Sequence, residues 1–71
     1  MEELKKIGTE IKKRRKLLGI IQPDLAEIAG ISLRSLKEIE TGKGNPTFIQ
    51  LLKVLDSLGL RIKIESRSEN D

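Results

Sequence analysis

The sequence of 71 residues contains no cysteine and no histidine. Without cysteine, the chain can form neither a disulfide framework nor a thiolate metal site. Without histidine, it lacks the commonest metal ligand and the usual general base near neutral pH. Its carboxylates show no convergent spacing that would define an acid–base pair. We therefore predict that the protein is not an enzyme and needs no metal or cofactor.

Aromatic residues and long apolar runs are also scarce. Phe48 is the single aromatic residue and is predicted to fill the core. Recognition of single-stranded RNA by base stacking, which uses exposed aromatics, is therefore disfavoured. No run approaches the roughly 20 apolar residues of a membrane span, and no signal-peptide pattern is present. These absences predict a cytoplasmic protein without a membrane partner.

Basic residues are unevenly placed along the chain, whose net charge is +3. Five of them are consecutive at residues 12–16, and Arg34, Lys37 and Lys43 follow. Such a run is often only a solvated helix face. Five consecutive residues wrap most of a helix, however, so at least one of these side chains should point inward or lie along the rim.

Residues 22–41 have the pattern of two short helices joined by a tight turn. The apolar positions form two helical stripes, one with Leu25, Ile28 and Ala29 and the other with Leu36 and Ile39. Gly30, between them, can adopt the left-handed conformation that such a turn requires. Ser32 is placed to cap the second helix. This arrangement predicts a helix-turn-helix.

Further helices are predicted on both sides of this motif. A first helix over residues 3–18 carries Leu4, Ile7, Ile11 and Leu18 on one stripe, with Arg15 on the same side. Ile21 stands where the cap of the first helix of the motif is expected. A missing cap costs about 1 kcal/mol. Thr47 is predicted to cap a fourth helix that ends at Gly59.

After Gly59 the sequence changes to the alternation of a strand, with Leu60, Ile62 and Ile64 on one face. A single strand cannot satisfy its own backbone groups, so we predict an antiparallel pair formed with a second copy. The predicted fold is all-α, a helix-turn-helix domain of four to five helices at residues 1–59. A C-terminal dimerisation β-strand follows at residues 60–66, and a disordered tail at residues 67–71.

Over residues 7–59 the chain resembles the phage-repressor-like helix-turn-helix proteins of the Cro and Xre type. The resemblance combines Gln22, the segment LAEIAGIS at residues 25–32, the segment ETGK at residues 40–43, and Pro46, in one order. One departure is Ile21, since a threonine usually precedes the glutamine in this family. With the added strand, the chain is most similar to antitoxins of the HipB type.

The resemblance implies that the second helix of the motif enters the major groove of DNA. Base contacts would come from Leu33, Arg34, Lys37 and Glu38, with Arg34 binding guanine O6 and N7. Glu38 could accept from cytosine N4 or be an ordinary surface acid. Phosphate contacts would come from Gln22, Ser32, Thr41, Lys43 and Arg14. The family also pairs an arginine and a glutamate at the positions of Arg15 and Glu40, although Glu40 alone could be a solvent-exposed acid.

These features predict a homodimeric repressor that binds an inverted-repeat operator in double-stranded DNA. The finer prediction is a HipB-like antitoxin with a HipA-like kinase toxin as partner. Two alternatives stay open. One is a stand-alone phage-type regulator without a toxin, and the other is a protein-interaction module that barely touches DNA.

Overall fold

The computed structural model describes residues 2–68, which form four α-helices. They are α1 (Glu2–Leu17), α2 (Gln22–Ala29), α3 (Leu33–Thr41) and α4 (Phe48–Ser57). The all-α class is confirmed, with four helices rather than five in the described residues. None of these helices is long and apolar enough to cross a membrane.

Side-chain caps fix where α3 and α4 begin. The Ser32 hydroxyl accepts a hydrogen bond from the backbone N–H of Ser35 at 3.0 Å. Thr47 and Gln50 form a reciprocal capping box, in which each side chain accepts from the backbone N–H of the other. Both predicted caps are confirmed, and they set the loop that lies between α3 and α4.

The start of α2 has no such cap, as predicted. Ile21 occupies the capping position in extended backbone and makes no side-chain hydrogen bond to the helix. Pro23 in the first turn has no N–H to satisfy, and Asp24 lies near the positive end of the helix dipole. At the other end, Gly30 adopts φ 71°, and its N–H bonds to the carbonyl of Glu27, closing the turn toward α3.

The core lies between the buried faces of the four helices. Its fully or nearly buried apolar residues are Ile11, Leu25, Ala26, Ala29, Leu36, Ile39, Leu51, Val54, Leu55 and Leu58. Leu4, Ile7, Ile20, Ile31 and Leu60 pack against them while half-buried. Ala26 is buried in this core, which holds α3 with one face inward.

Gly8 lets α1 approach the end of α3 more closely than any other residue type would. A Cβ atom at this position would overlap the carbonyl oxygen of Ile39 and lie 3.0 Å from the carbonyl oxygen of Glu40. From sequence, Gly8 predicts only a weakened helix, at about 1 kcal/mol relative to alanine. In the structure it is buried at the α1–α3 contact, so its lack of a side chain is a packing requirement.

Three apolar residues that the sequence places in the core or on an apolar helical stripe are exposed, and one of them is Ile28, at 63%. Phe48 is 60% exposed because the buried stripe of α4 begins one turn later, at Leu51. Leu18 is 45% exposed because α1 ends at Leu17 and the following turn leaves the helical stripe. For Phe48 and Leu18, the prediction extended a helical period past the end of the packed region.

The strand predicted at residues 60–66 is absent from the described chain. Leu60 donates its N–H to the carbonyl of Leu55 at 2.8 Å, and residues 61–68 have no regular secondary structure. A strand needs a neighbouring edge, and one copy of this chain supplies none. The predicted disordered tail lies partly outside the described residues, at residues 69–71.

Candidate nucleic-acid interface

Helix α3 separates buried residues from an exposed, chemically mixed face. Leu36, Ile39 and Glu40 are buried. On the opposite side a shallow depression is lined by Leu33, Arg34, Lys37, Glu38 and Thr41, which we call the α3 outer face. The four residues predicted to read bases therefore lie together on one surface.

Arg34 and Glu38 are joined along this face. The Arg34 Nε donates to the Glu38 carboxylate at 3.3 Å, with the arginine side chain 89% exposed and the glutamate 40% exposed. This i,i+4 spacing places the two side chains on adjacent turns. An exposed pair of this kind is worth only about 0.2–1 kcal/mol, so the guanidinium can leave it for a stronger partner.

Glu38 is also held by the loop that follows α3. Its carboxylate lies against Gly44, where an added Cβ would overlap the carboxylate oxygen. Its backbone carbonyl accepts from the N–H of Lys43 at 2.9 Å and from the Thr41 hydroxyl at 3.1 Å. The loop thus keeps the Lys43 backbone beside the end of α3, while the Lys43 side chain is exposed.

Three of the polar residues predicted to contact phosphate already have intramolecular partners. The Ser32 hydroxyl donates to the Ser35 hydroxyl at 2.9 Å, in addition to capping α3. The Thr41 hydroxyl also donates to the carbonyl of Lys37 at 3.1 Å. The Gln22 amide nitrogen donates to the Glu40 carboxylate at 3.0 Å.

Behind α3, Arg15 and Glu40 form a buried ion pair. The Arg15 Nε donates to one Glu40 oxygen at 2.6 Å, and a terminal guanidinium nitrogen donates to the other at 3.0 Å. Arg15 is 8% exposed and Glu40 5%. A second terminal nitrogen of Arg15 donates to the carbonyl of Ile20 at 2.8 Å. Through Gln22 and Ile20, this network connects α1, the start of α2 and the end of α3.

The hydrogen bond that Arg15 donates to Glu40 raises the pKa of Arg15, an effect larger than the opposing effect of desolvation. The negative charge of Glu40 raises this pKa further. Because the folded-state pKa is above the ordinary value, the stabilisation is complete at every pH below that ordinary value. It is lost only as the pH rises through the folded-state value. Arg15 is therefore charged at neutral pH.

Arg14 lies elsewhere on the molecule. Its Nε donates to the carbonyl of Leu58 at 3.0 Å, close to the end of α4. Its side chain lines a groove between α1 and residues 60–63, not the α3 outer face. The structure therefore does not bring Arg14 together with the other residues predicted to contact DNA.

Two of these contacts were not predicted from the sequence. The Gln22–Glu40 bond shows that Gln22, which is predicted to contact phosphate, also belongs to the buried network. In the sequence, the only sign that Gln22 matters is its place in the family pattern. The Arg14–Leu58 bond joins residues 44 positions apart, and no local pattern indicates it. The Gln22–Glu40 bond depends on how α2 packs against α3, and the Arg14–Leu58 bond on how α1 packs against the end of α4.

The sequence and the fold define a class of protein. Residues 11–64 match the helix-turn-helix family HTH_3. The uncharacterized HTH-type transcriptional regulator y4mF of Sinorhizobium fredii is 35% identical over 63 residues, which cover 89% of this chain and 83% of the regulator. The restriction-modification controller protein C.AhdI from Aeromonas hydrophila has the same fold, with a TM-score of 0.78 and 24% identity over 86% of this chain and 92% of that one.

A phage repressor is a further relative. The transcriptional repressor RstR of cryptic phage CTXphi from Vibrio cholerae is 39% identical over 57 residues, which cover 80% of this chain. The chain spans about half the length of RstR, with 51% of that protein covered. This protein therefore belongs to the Xre-type helix-turn-helix family. That family consists of DNA-binding transcriptional regulators, which confirms the prediction that the protein is not an enzyme.

Proposed function

We propose that this protein is a sequence-specific repressor that acts in the cytoplasm by occupying an operator in double-stranded DNA. The observation that carries the proposal is the α3 outer face, whose Leu33, Arg34 and Lys37 are all exposed and stand on a helix anchored from behind. A recognition helix needs such an anchor because base contacts depend on fixed side-chain positions. The similarity to the phage repressor RstR supports the repressor role.

Base contacts are assigned by the chemistry of the outer face. Arg34 would give up Glu38 and donate to guanine O6 and N7 as a bidentate partner. Leu33 at the first turn is 36% exposed and apolar, which suits the methyl group of thymine. Lys37, one turn beyond Leu33, would bind a base edge or a neighbouring phosphate as a point charge.

Phosphate contacts would flank this face at both ends. Lys43 supplies a charge beside the end of α3, in the loop closed by its N–H bond to Glu38. The first turn of α2 has no side-chain cap, because Ile21 makes no hydrogen bond to it. Backbone N–H groups of this turn would therefore donate to a phosphate. Gln22, Ser32 and Thr41 could add hydroxyl or amide contacts while keeping their internal bonds. These contacts position the helix but carry no sequence information.

The function is tested by selecting DNA from a random pool with the purified protein. We expect an enriched motif that contains guanine in each half-site, and binding that weakens as salt is raised. The matched control is Lys53→Ala on α4, which removes one exposed cation outside the α3 outer face and should select the same motif. Enrichment of no motif, together with salt-independent or absent binding, would rule out the repressor function and favour the protein-interaction module.

Arg34→Ala should cost about 1–3 kcal/mol of specific affinity and relax selection at one base pair per half-site. Lys43→Ala should instead weaken binding to all sequences and reduce the salt dependence. Both effects are measured by titrating matched and mismatched duplexes at several salt concentrations. Equal losses on every duplex for both variants would remove Arg34 from base recognition.

We also propose that the repressor is a homodimer, joined by residues 60–66 as an antiparallel ribbon. Support comes from the alternation of Leu60, Ile62 and Ile64 and from the 91% exposure of Ile64. The Lys63 and Glu65 charged groups lie 3.3 Å apart, so these two residues at i,i+2 spacing share one side of the segment. Two recognition helices related by a twofold axis would read half-sites about 34 Å, or roughly 10 base pairs, apart.

The antitoxin role is a second candidate. Its support is the C-terminal alternation, which resembles antitoxins of the HipB type more than stand-alone repressors. Purification from the native host followed by co-expression tests it. Recovery of a kinase whose toxicity this protein neutralises would establish the role. Recovery of DNA and the homodimer alone would leave a stand-alone phage-type regulator.

A further inference from the structure

A second concave surface runs along α1, which we call the α1 groove. It lies between α1, α4 and residues 60–63, and its floor is formed by Ile7, Leu17, Leu55, Leu60 and Ile62. Leu17 is 76% exposed and Ile62 37% exposed, so water contacts much of this apolar floor. An apolar surface of this kind on a small domain indicates a binding site.

The groove and the α3 contact use different faces of α1. Seven of the eight α1 residues that line the groove, at positions 3, 6, 7, 10, 13, 14 and 17, form one helical stripe, and Lys16 lies at the edge of that stripe. The buried residues Gly8, Ile11 and Arg15 form another stripe, which includes the Gly8 and Arg15 contacts with α3. A molecule bound in the groove would therefore leave the α3 outer face uncovered.

The rim of the groove is strongly basic. Six of its side chains are cationic and two are anionic: Lys6, Lys13, Arg14, Lys16, Arg61 and Lys63 against Glu3 and Glu10. The Lys13–Glu10 contact is 3.9 Å long and both side chains are more than two-thirds exposed. Exposed contacts of this kind exchange easily for another carboxylate. The rim therefore favours a partner with several negative charges.

The groove has the size of a polypeptide site. Its volume is about 1020 Å³, at the upper end of the roughly 300–1,000 Å³ usual for ligand pockets, and one side is open, so that a polypeptide segment can enter. An amphipathic helix binds such grooves through apolar residues at i, i+3, i+4 and i+7. DNA is a poorer match, because its phosphates would contact the cations of the rim but leave the apolar floor uncovered.

We infer that the α1 groove binds an acidic amphipathic segment of a partner protein. Apolar side chains of that segment would cover Leu17 and Ile62, and its carboxylates would face the lysines and arginines of the rim. The proposed ribbon pairs the backbone edges of residues 60–66 and leaves the groove free for a partner. The α1 helix of a second copy is disfavoured as the occupant of the groove, because it carries KKRRK at residues 12–16 while the rim carries Arg61 and Lys63. Like charges would then meet across the contact.

The test uses a labelled model peptide, about 18 residues long, with leucines at helical spacing and glutamates on its other faces. Amide shifts in a heteronuclear NMR titration of the full chain should be largest at residues 6–17 and 60–63. A peptide of the same composition without the amphipathic spacing should bind at least about tenfold more weakly. Shifts centred on α3, or equal binding of both peptides, would overturn the inference.

Surface variants sharpen the test because they leave the core intact. Leu17→Ala should weaken peptide binding about tenfold, whereas Ile49→Ala on α4, which is 65% exposed, should not change it. Lys13→Glu should weaken binding about fivefold at low salt and less at high salt, and Lys53→Glu should not. Full peptide affinity in both groove variants would exclude the site. Groove variants that change self-association rather than peptide affinity would assign the groove to a second copy.

Discussion

Glu38 stands between two roles, since its carboxylate both faces the solvent side of α3 and accepts from Arg34. Its contacts with Gly44 favour a positioning role, in which it orients the guanidinium before DNA arrives. Glu38→Gln should therefore lower discrimination at the Arg34-dependent base pair by up to about fivefold, in line with an exposed ion pair. Binding of duplex variants to Glu38→Gln and to Arg34→Ala/Glu38→Gln measures this effect. If Glu38→Gln relaxes a second base pair even when Arg34 is absent, Glu38 reads a base itself.

The Arg15–Glu40 pair makes a prediction about stability rather than recognition. Arg15→Met or Glu40→Leu alone should lower the free energy of unfolding by about 3–5 kcal/mol, because each leaves a buried charge without its partner. The double variant should lose clearly less than the sum, with a coupling of about 0.5–3 kcal/mol. Urea denaturation of the four proteins completes this double-mutant cycle. Strictly additive losses would mean that the two side chains do not interact in solution.

At the scale of the element, α1 and α3 are held at a distance that Gly8 sets. Gly8→Ala should lower the free energy of unfolding by about 1–3 kcal/mol, although alanine is the better helix former by about 1 kcal/mol. The clash prevails because backbone carbonyls, unlike side chains, cannot rotate away. The matched control is Thr9→Ala, because Thr9 follows Gly8 in the same helix and is exposed. This variant should change the free energy of unfolding very little. Thermal unfolding measures both, and a stabilised Gly8→Ala variant would show that the helices can separate at little cost.

Local signals explain why the helices were predictable. Ser32, Thr47 and Gly30 act within one turn of their own position, so their effect is visible in the sequence. The exposure of Phe48 was not predictable, because helical period alone does not reveal where packing against neighbouring helices begins. Gly8 was misjudged for a related reason, since its role depends on a carbonyl of α3 more than 30 residues away.

The candidate site was predictable in part. Helical period places Leu33, Arg34, Lys37 and Glu38 outward, and the structure gathers them on one surface. The hydrogen-bond partners of the residues predicted to contact phosphate were harder to predict. Nothing in the sequence indicates that the Gln22 amide points at Glu40 or that Arg14 holds the end of α4. Such contacts follow from tertiary packing, which local spacing does not encode.

At the scale of the whole molecule, the proposed dimer depends on the segment after Leu60. Deleting residues 61–71 keeps the Leu60–Leu55 hydrogen bond of the folded domain, yet it should make the protein monomeric at micromolar concentration. Ile64→Lys should have the same effect, while Ile49→Lys, on the exposed side of α4, should leave the dimer intact. Analytical ultracentrifugation separates the species. A truncated protein that stays dimeric would show that the interface lies on another surface. Monomeric variants should also lose the preference for paired half-sites.

The exposed position of Phe48 has a consequence for absorbance and fluorescence measurements on this protein. With no tryptophan and no tyrosine, the chain is almost transparent at 280 nm and has no indole emission of its own. Phe48→Trp places a single fluorophore at the first turn of α4, at a site outside the core. Its spectrum would report on that one position, without background, whenever a partner or a second copy approaches.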